Sequence, residues 1–254
     1  LAYTVKNSNF DAGIVISASH NPYHDNGVKF FDDKGLKLTN DVEKNIEQIF
    51  FSEKGKEIPQ LISKNINYNT IHLKKYSDFL SSFLPFAEEN KKLTVVLDCA
   101  NGAAYKTAPY LFKATGVKLI IINNTPDGKN INDNCGSLYP QRLSQLIRKH
   151  QAHVGFALDG DADRLVCVDE KGHVLEGDEL LAILANYLNK ECLLKQSTVV
   201  TTKMTNLGFD EYIKTHNCKV LRTEVGDKHI SAMMSKYDYN FGGESSGHFI
   251  FKDF

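Results

Sequence analysis

Short apolar runs alternate along the chain with longer stretches in which apolar side chains return every three or four positions. Runs of the first kind mark strands and stretches of the second mark amphipathic helices. Residues 13–16, Gly-Ile-Val-Ile, read as a buried strand that ends on a small polar knot, Ser17-Ala18-Ser19-His20-Asn21-Pro22. The segment 40–51 sets Val42, Ile46, Ile49 and Phe50 on one stripe, with Asn40 as the expected N-cap and Glu43 closing a capping box. The Asn- and Lys-rich stretch 52–69 has no period and reads as loop or short edge strands. A helix over 73–86 follows, and the polar run 88–92 suggests a domain boundary.

Beyond that boundary the alternation becomes regular. A continuous apolar strand at 93–98, a helix over 103–114 stopped by Gly116, and a strand at 117–122 make one βαβ unit. A long polar loop, 123–140, leads to a helix at 142–150 and a strand at 153–158. Helical patterns at 178–188, 209–216 and 228–237 then alternate with strands at 198–202 and 219–223. The pattern predicts an α/β chain of repeated βαβ-type domains with mixed or parallel sheets.

Composition narrows the function. The chain has 254 residues, 42% of them hydrophobic, enough for two or three compact domains. Thirty basic and 31 acidic residues nearly cancel, so no global field draws nucleic acid or an anionic membrane. The five cysteines form no C-x-x-C pair and no metal-type spacing, which fits a reduced, cytoplasmic setting. No apolar run approaches the roughly 18 residues of a membrane span, and no signal-type leader opens the chain. The first residue is Leu1 rather than Met, so the chain reads like the middle of something longer.

Three polar loops, each following a strand, carry the chemistry. In open α/β sheets ligands gather beyond the carboxyl ends of strands, so these loops could face one crevice. In "DGDADR", 159–164, Asp159, Asp161 and Asp163 alternate closely enough to surround one hard cation, whereas a plain Asp/Gly turn would leave three acids repelling each other. The spacing to Glu170 also imitates an EF-hand, but Arg164 stands where that loop needs glycine, and the flanks are strands where it needs helices. Arg164 beside the acids suggests that an anion is held there too. In "GGESSGH", 242–248, the literal G-x-S-x-G would make Ser245 a hydrolase nucleophile. That motif needs a following helix, and "HFIFKDF" reads as a strand, so a serine hydrolase is disfavoured. A loop of Glu, Ser and Gly suits hydrogen bonding to sugar hydroxyls. The "SASHNP" knot, 17–22, taken alone is an Asn-Pro turn closing a strand.

Together, "SASHNP", "DGDADR" and "GESSGH", in this order and supported by "DNGVKFF", "LDCANGAAYK" and "VGDK", resemble the α-D-phosphohexomutase family, most closely its amino-sugar branch. The resemblance implies interconversion of glucosamine 6-phosphate and glucosamine 1-phosphate through a bisphosphorylated sugar. It implies that Ser19 carries the phosphoryl group, primed by a hexosamine or hexose bisphosphate, and that Asp159, Asp161 and Asp163 hold Mg²⁺ with that phosphate. Arg164 would steady the transferring group and Lys29 would serve proton transfer. His20 would shape the serine loop, while Glu244, Ser246, His248 and Asp227 would bind the substrate. A phosphoserine of about −1.5 to −2 charge beside three carboxylates brings the site to about −5, which Mg²⁺, Arg164 and Lys29 offset by about +4.

The resemblance further implies residues 1–90 as part of domain 1, 91–172 as domain 2 with the metal loop, 173–254 as domain 3 with the sugar loop, and an absent domain 4. It implies a phosphosugar substrate, no nucleic acid or membrane partner, and room for a homodimer. Ser245 replaces the glutamine usual in the amino-sugar branch, which keeps glucose or mannose phosphate open as substrates. A catalytically inactive metal-binding fragment is the alternative of a different class.

Overall fold

The computed structural model describes residues 1–52, 70–84 and 87–253. It contains two compact units, one of Leu1–Ser17 with Gly27–Phe83, the other of Ala18–Asn26 with Leu84–Phe254. Each is α/β in make-up.

The first unit opens with a short helix α1 (Ala2–Lys6), which the apolar pattern does not announce. The strands β1 (Gly13–Ser17) and β2 (Gly27–Phe31) pair antiparallel, Ile14 against Phe30 and Ile16 against Val28. The expected buried strand is present, but its apolar face is not buried: Ile16 is 75% exposed, and Ile14, Val28 and Phe30 on the same face are exposed as well. Two strands offer too little surface to build a core of their own. Helix α2 (Asn40–Phe51) keeps the predicted stripe, yet none of its residues is buried and Phe50 is 71% exposed. Its N-cap is Thr39 rather than Asn40. Periodicity reports which face of a helix is apolar, not whether anything lies against it. Helix α3 (Ile71–Ser81) ends earlier than expected, its last turn closed by the Ser82 hydroxyl donating to the Phe79 carbonyl. It packs on α1, with Tyr3 stacked on Phe79 at 4.5 Å between ring centroids. The expected loop at 52–69 falls, apart from Ser52, outside the described residues.

The second unit holds two sheets. The first has the order β4-β3-β5-β6-β7 and comprises β3 (Thr94–Asp98), β4 (Lys118–Ile122), β5 (Val154–Leu158), β6 (Leu165–Asp169) and β7 (Val174–Leu175). Strand β3 runs parallel to β4 and β5, and β5 and β6 form an antiparallel hairpin. Helix α4 (Thr107–Ala114) begins later than the pattern suggests. The preceding N–H groups have other partners: that of Ala100 goes to Asp98, that of Asn101 to Asn123 and that of Ala103 to Gly160, and Ala100 and Asn101 both take left-handed φ. Helix α5 (Gln141–His150) buries Leu143 and Ile147 fully against Val96, Ala157 and Val168.

The second sheet, in the order β11-β10-β8-β9, contains β8 (Thr198–Thr202), β9 (Lys219–Thr223), β10 (Phe241–Gly243) and β11 (Phe249–Phe251). Strand β8 is parallel to both neighbours, and β10 and β11 form a hairpin. Helices α6 (Gly177–Lys190), α7 (Leu207–Thr215) and α8 (Asp227–Tyr237) accompany it, and Leu181, Ile213 and Phe241 fill the core. Cys99, Cys135, Cys167 and Cys218 are buried thiols, and Cys192 is exposed. Among the described residues no helix is long and apolar enough to cross a membrane.

Two amphipathic faces therefore differ in what covers them, and truncation separates them. Leu143→Ala should lower unfolding free energy by about 2–5 kcal/mol, as loss of a fully buried side chain does. Phe50→Ala should stay within about 0.5 kcal/mol. Urea titration followed by circular dichroism measures both, and equal losses would show that the α2 face is covered.

Candidate functional site

The β5–β6 hairpin closes with Leu158 opposite Leu165, and the intervening turn carries all three aspartates. Asp159 Oδ1 accepts the backbone N–H groups of Asp163 and Arg164, each at 3.1 Å, so the turn wraps around the first carboxylate. One oxygen from each of Asp159, Asp161 and Asp163 lies within 4.8 Å of the others. Asp159 is 1% exposed, and its Oδ2 is buried without a hydrogen-bond partner among the described residues. Burial, with the charges of Asp163 and Asp161, pushes its carboxyl up to about 7. An all-oxygen set with an unsatisfied buried carboxylate fits a hard divalent cation, which supplies the missing positive charge and takes oxygen ligands. Zinc-type donors are absent from this turn.

The turn is held from two sides by backbone contacts. On one side, the Gly160 N–H donates to the carbonyl of Ser19 at 3.0 Å, and the Gly160 carbonyl accepts from Ala103 at 2.7 Å. A side chain at Gly160 would meet that Ser19 oxygen at 2.4 Å, so the approach requires glycine. Ser19 itself lies beyond the strand, which stops at Ser17, and has a left-handed φ of 51°. A turn, with Asn21 N–H on Ala18 O, carries it. The Ser19 Oγ is 3.4 Å from His20 Nδ1.

On the other side, the N–H of Leu165, next to Arg164, donates to the Gly247 carbonyl at 2.9 Å. This ties the aspartate turn to the β10–β11 hairpin, whose loop carries Glu244, Ser245, Ser246 and His248. That loop joins two strands, so the helix required by a nucleophile elbow is not there. Glu244 Oε1 accepts the N–H of Gly226, and Ser246 Oγ lies 3.5 Å from its other oxygen. His248 stands between two acids, with Nδ1 3.8 Å from Asp163 and Nε2 3.8 Å from Asp227, the first residue of α8.

The structure thus brings together the three aspartates, Ser19 with His20, and the group Glu244, Ser246, His248 and Asp227. Arg164 contributes its backbone N–H to Asp159. Lys29 lies on β2 opposite Val15, in the other unit. Two participants escaped the sequence reading. Asn132, inside the long polar loop, donates from Nδ2 to the carbonyls of Ser19 and Asn21. Asp98, fully buried at the end of β3, accepts from Ala100, Asn123 and Gly136 and so ties two loops together. The only local signals were an acid closing an apolar strand and an Asn-rich loop, and both are common.

Consecutive domain models of one family match this chain: phosphoglucomutase/phosphomannomutase α/β/α domain I over residues 1–57, domain II over 74–172 and domain III over 176–254. The chain belongs to the phosphoglucomutase/phosphomannomutase family. It is 46% identical over 261 aligned residues to a phosphoglucosamine mutase of Campylobacter curvus, a match that takes in 100% of this chain and 58% of that protein. The chain therefore spans less than two thirds of the length of that curated relative. Among solved structures, a putative phosphomannomutase from Thermus thermophilus superposes with a TM-score of 0.84 at 22% identity, covering 100% of this chain and 57% of that one. An Aspergillus fumigatus N-acetylphosphoglucosamine mutase in complex with GlcNAc-6P and magnesium superposes with a TM-score of 0.62 at 19% identity, over 98% of this chain and 63% of that one. These two likenesses are of fold.

The unsatisfied Asp159 carboxylate has a consequence for stability. Its carboxyl titrates near 7 in the folded chain against 3.8 as the ordinary value. Below the lower value both states hold the proton, and above the higher one both have lost it, so the metal-free fold loses stability as pH rises between them and then levels off. Asp159→Asn keeps an acceptor for the two backbone N–H groups and removes the charge. In chelator at pH 8 this variant should melt a few degrees above the parent, with the gain shrinking by pH 5. Differential scanning calorimetry at both pH values is the check, and a lower melting temperature at pH 8 would contradict the assignment of a strained charge.

Proposed function

We propose that this chain is the serine-, metal- and sugar-loop portion of a phosphoglucosamine mutase, with domains at 1–90, 91–172 and 173–254. The observation that carries the reading is the hydrogen bond from Gly160 N–H to Ser19 O, which joins the serine turn to the backbone between Asp159 and Asp161. The 46% identity to a named phosphoglucosamine mutase supports the amino-sugar substrate.

On this reading Ser19 Oγ attacks a phosphoryl group of a bisphosphorylated hexose. A new O–P bond forms at Oγ as the sugar O–P bond breaks, and the serine proton passes to the departing sugar oxygen. In the return step the phosphoserine gives its phosphoryl group to the free hydroxyl of a hexose monophosphate, and the proton of that hydroxyl returns to Oγ. Alternation of the two steps on C1 and C6 oxygens interconverts glucosamine 6-phosphate and glucosamine 1-phosphate. His20, 3.4 Å from Ser19 Oγ, orients the hydroxyl. Asp159, Asp161 and Asp163, together with the phosphate on Ser19, would hold Mg²⁺. Bound there, the ion polarises the transferring phosphoryl group and offsets the crowded negative charge. Arg164 balances charge on the phosphoryl oxygens and Lys29 handles the proton. Glu244 and Ser246 read sugar hydroxyls, and His248 and Asp227 flank them.

A second reading has support in one residue. Ser245, in place of the glutamine expected in the amino-sugar branch, favours glucose or mannose phosphate. A coupled assay of the full-length parent on each sugar phosphate separates the two, and higher turnover of glucosamine phosphate is expected. The carrier itself is tested on the present chain. With Mg²⁺ and labelled glucose 1,6-bisphosphate, phosphopeptide mapping should find the label on Ser19, and Ser19→Ala should abolish it. Label on Ser17 or Ser245 would overturn the mechanism.

A further inference from the structure

We infer that Asn132 is a positioning residue that clamps the Ser19 turn in its reactive conformation, an inference that rests on the reading of Ser19 as phosphoryl carrier. Asn132 is 7% exposed and itself holds a left-handed φ of 57°, a conformation that asparagine tolerates better than most residues. Its Nδ2 donates to Ser19 O at 2.7 Å and to Asn21 O at 2.8 Å, which uses both hydrogens of the amide. Its backbone is anchored in turn, because its N–H donates to Ala100 O at 2.9 Å. The N–H of Ala100 donates to Asp98 Oδ1 at 2.9 Å, at the buried end of β3. The amide of Asn132 is therefore a fixed point of the sheet's rim, and the turn 18–21 hangs from it.

The clamp acts on a strained residue. Ser19, with φ of 51°, sits where a non-glycine side chain is disfavoured by roughly 1–2 kcal/mol. Two bonds converge on its carbonyl, from Asn132 Nδ2 and Gly160 N–H, and together they fix the direction of that peptide plane. Gly160 follows Asp159, so one acceptor atom sets the serine turn against the metal turn. Removal of the Asn132 donors takes one of the two bonds from the Ser19 carbonyl and the bond on Asn21 O, and Ser19 can then relax toward the extended region with its hydroxyl turned away. Asp159, for its part, is held by N–H groups of its own turn rather than by Asn132. The inference accordingly separates two quantities that a merely structural residue would move together.

Two variants test it. Asn132→Asp keeps the shape and the tolerance of left-handed φ but faces two carbonyls with an acceptor, and Asn132→Gly keeps the backbone and removes the side chain. In both, hydrogen exchange across Ala18–Asn26 should speed up by roughly ten-fold or more, with β5 and β6 unchanged. Transfer of label from glucose 1,6-bisphosphate to Ser19 should slow by roughly ten- to a hundred-fold. Magnesium affinity, measured by calorimetry, should stay within about two-fold of the parent, since the N–H groups that grip Asp159 come from its own turn. Parental exchange and transfer in both variants would overturn the inference. Faster exchange with unchanged transfer would overturn it too, leaving Asn132 as a structural tie. A parental chain that takes no label on Ser19 is a different failure: it removes the carrier reading and the inference with it.

Discussion

Three carboxylates held within 4.8 Å of one another are the constraint around which the second unit is arranged. Left to themselves they would move apart, because like charges at that separation repel strongly wherever water is partly excluded. They cannot move. Asp159 is gripped by two N–H groups of its own turn, the turn is the end of an antiparallel hairpin, and the hairpin is fused into a five-stranded sheet. Burial first, and then the neighbouring charges of Asp163 and Asp161, push the Asp159 carboxyl up to about 7. Carboxylates fixed in this way suit a hard cation, which could meet them without rearrangement of the turn.

The supports are mostly backbone atoms. Gly160 meets Ser19, Ala103 meets Gly160, and Leu165 meets Gly247, all through main-chain hydrogen bonds. Such contacts lose no side-chain rotamer freedom and bring loops nearer than side chains would permit. At Gly247, with φ of 85°, an added Cβ would lie 2.4 Å from Leu165 O. Asn132 and Asp98 are exceptions, polar side chains that serve as ties between loops.

Most of the element order was legible in the chain. Strands β8 and β9 coincide with their apolar runs, and α5 sits where its stripe predicts, because both patterns are set by neighbours within a few residues. The errors are equally instructive. The late start of α4 follows from N–H groups taken by distant loops, and the exposure of the β1 and α2 faces depends on what is packed against them. The left-handed conformation of Ser19 in its turn is met by donors at Asn132 and Gly160, which no local pattern announces.

The sequence by itself determined the α/β alternation, the acidic turn with its preference for a hard cation, and the three-loop resemblance to a phosphohexomutase. Each is a short-range property, written in periods of two to four residues or in motifs of six. Tertiary structure alone decided which apolar faces are covered, which carboxylate is stripped of water, and which residues hold the serine turn. The tie between Asn132 and Ser19 joins positions 113 residues apart, and no local pattern encodes a distance of that kind. Asn132 lies in the loop after β4 and is bonded to Ala100 beyond β3, while Gly160 beyond β5 bonds the same Ser19 carbonyl, and β4, β3 and β5 are neighbours in one sheet.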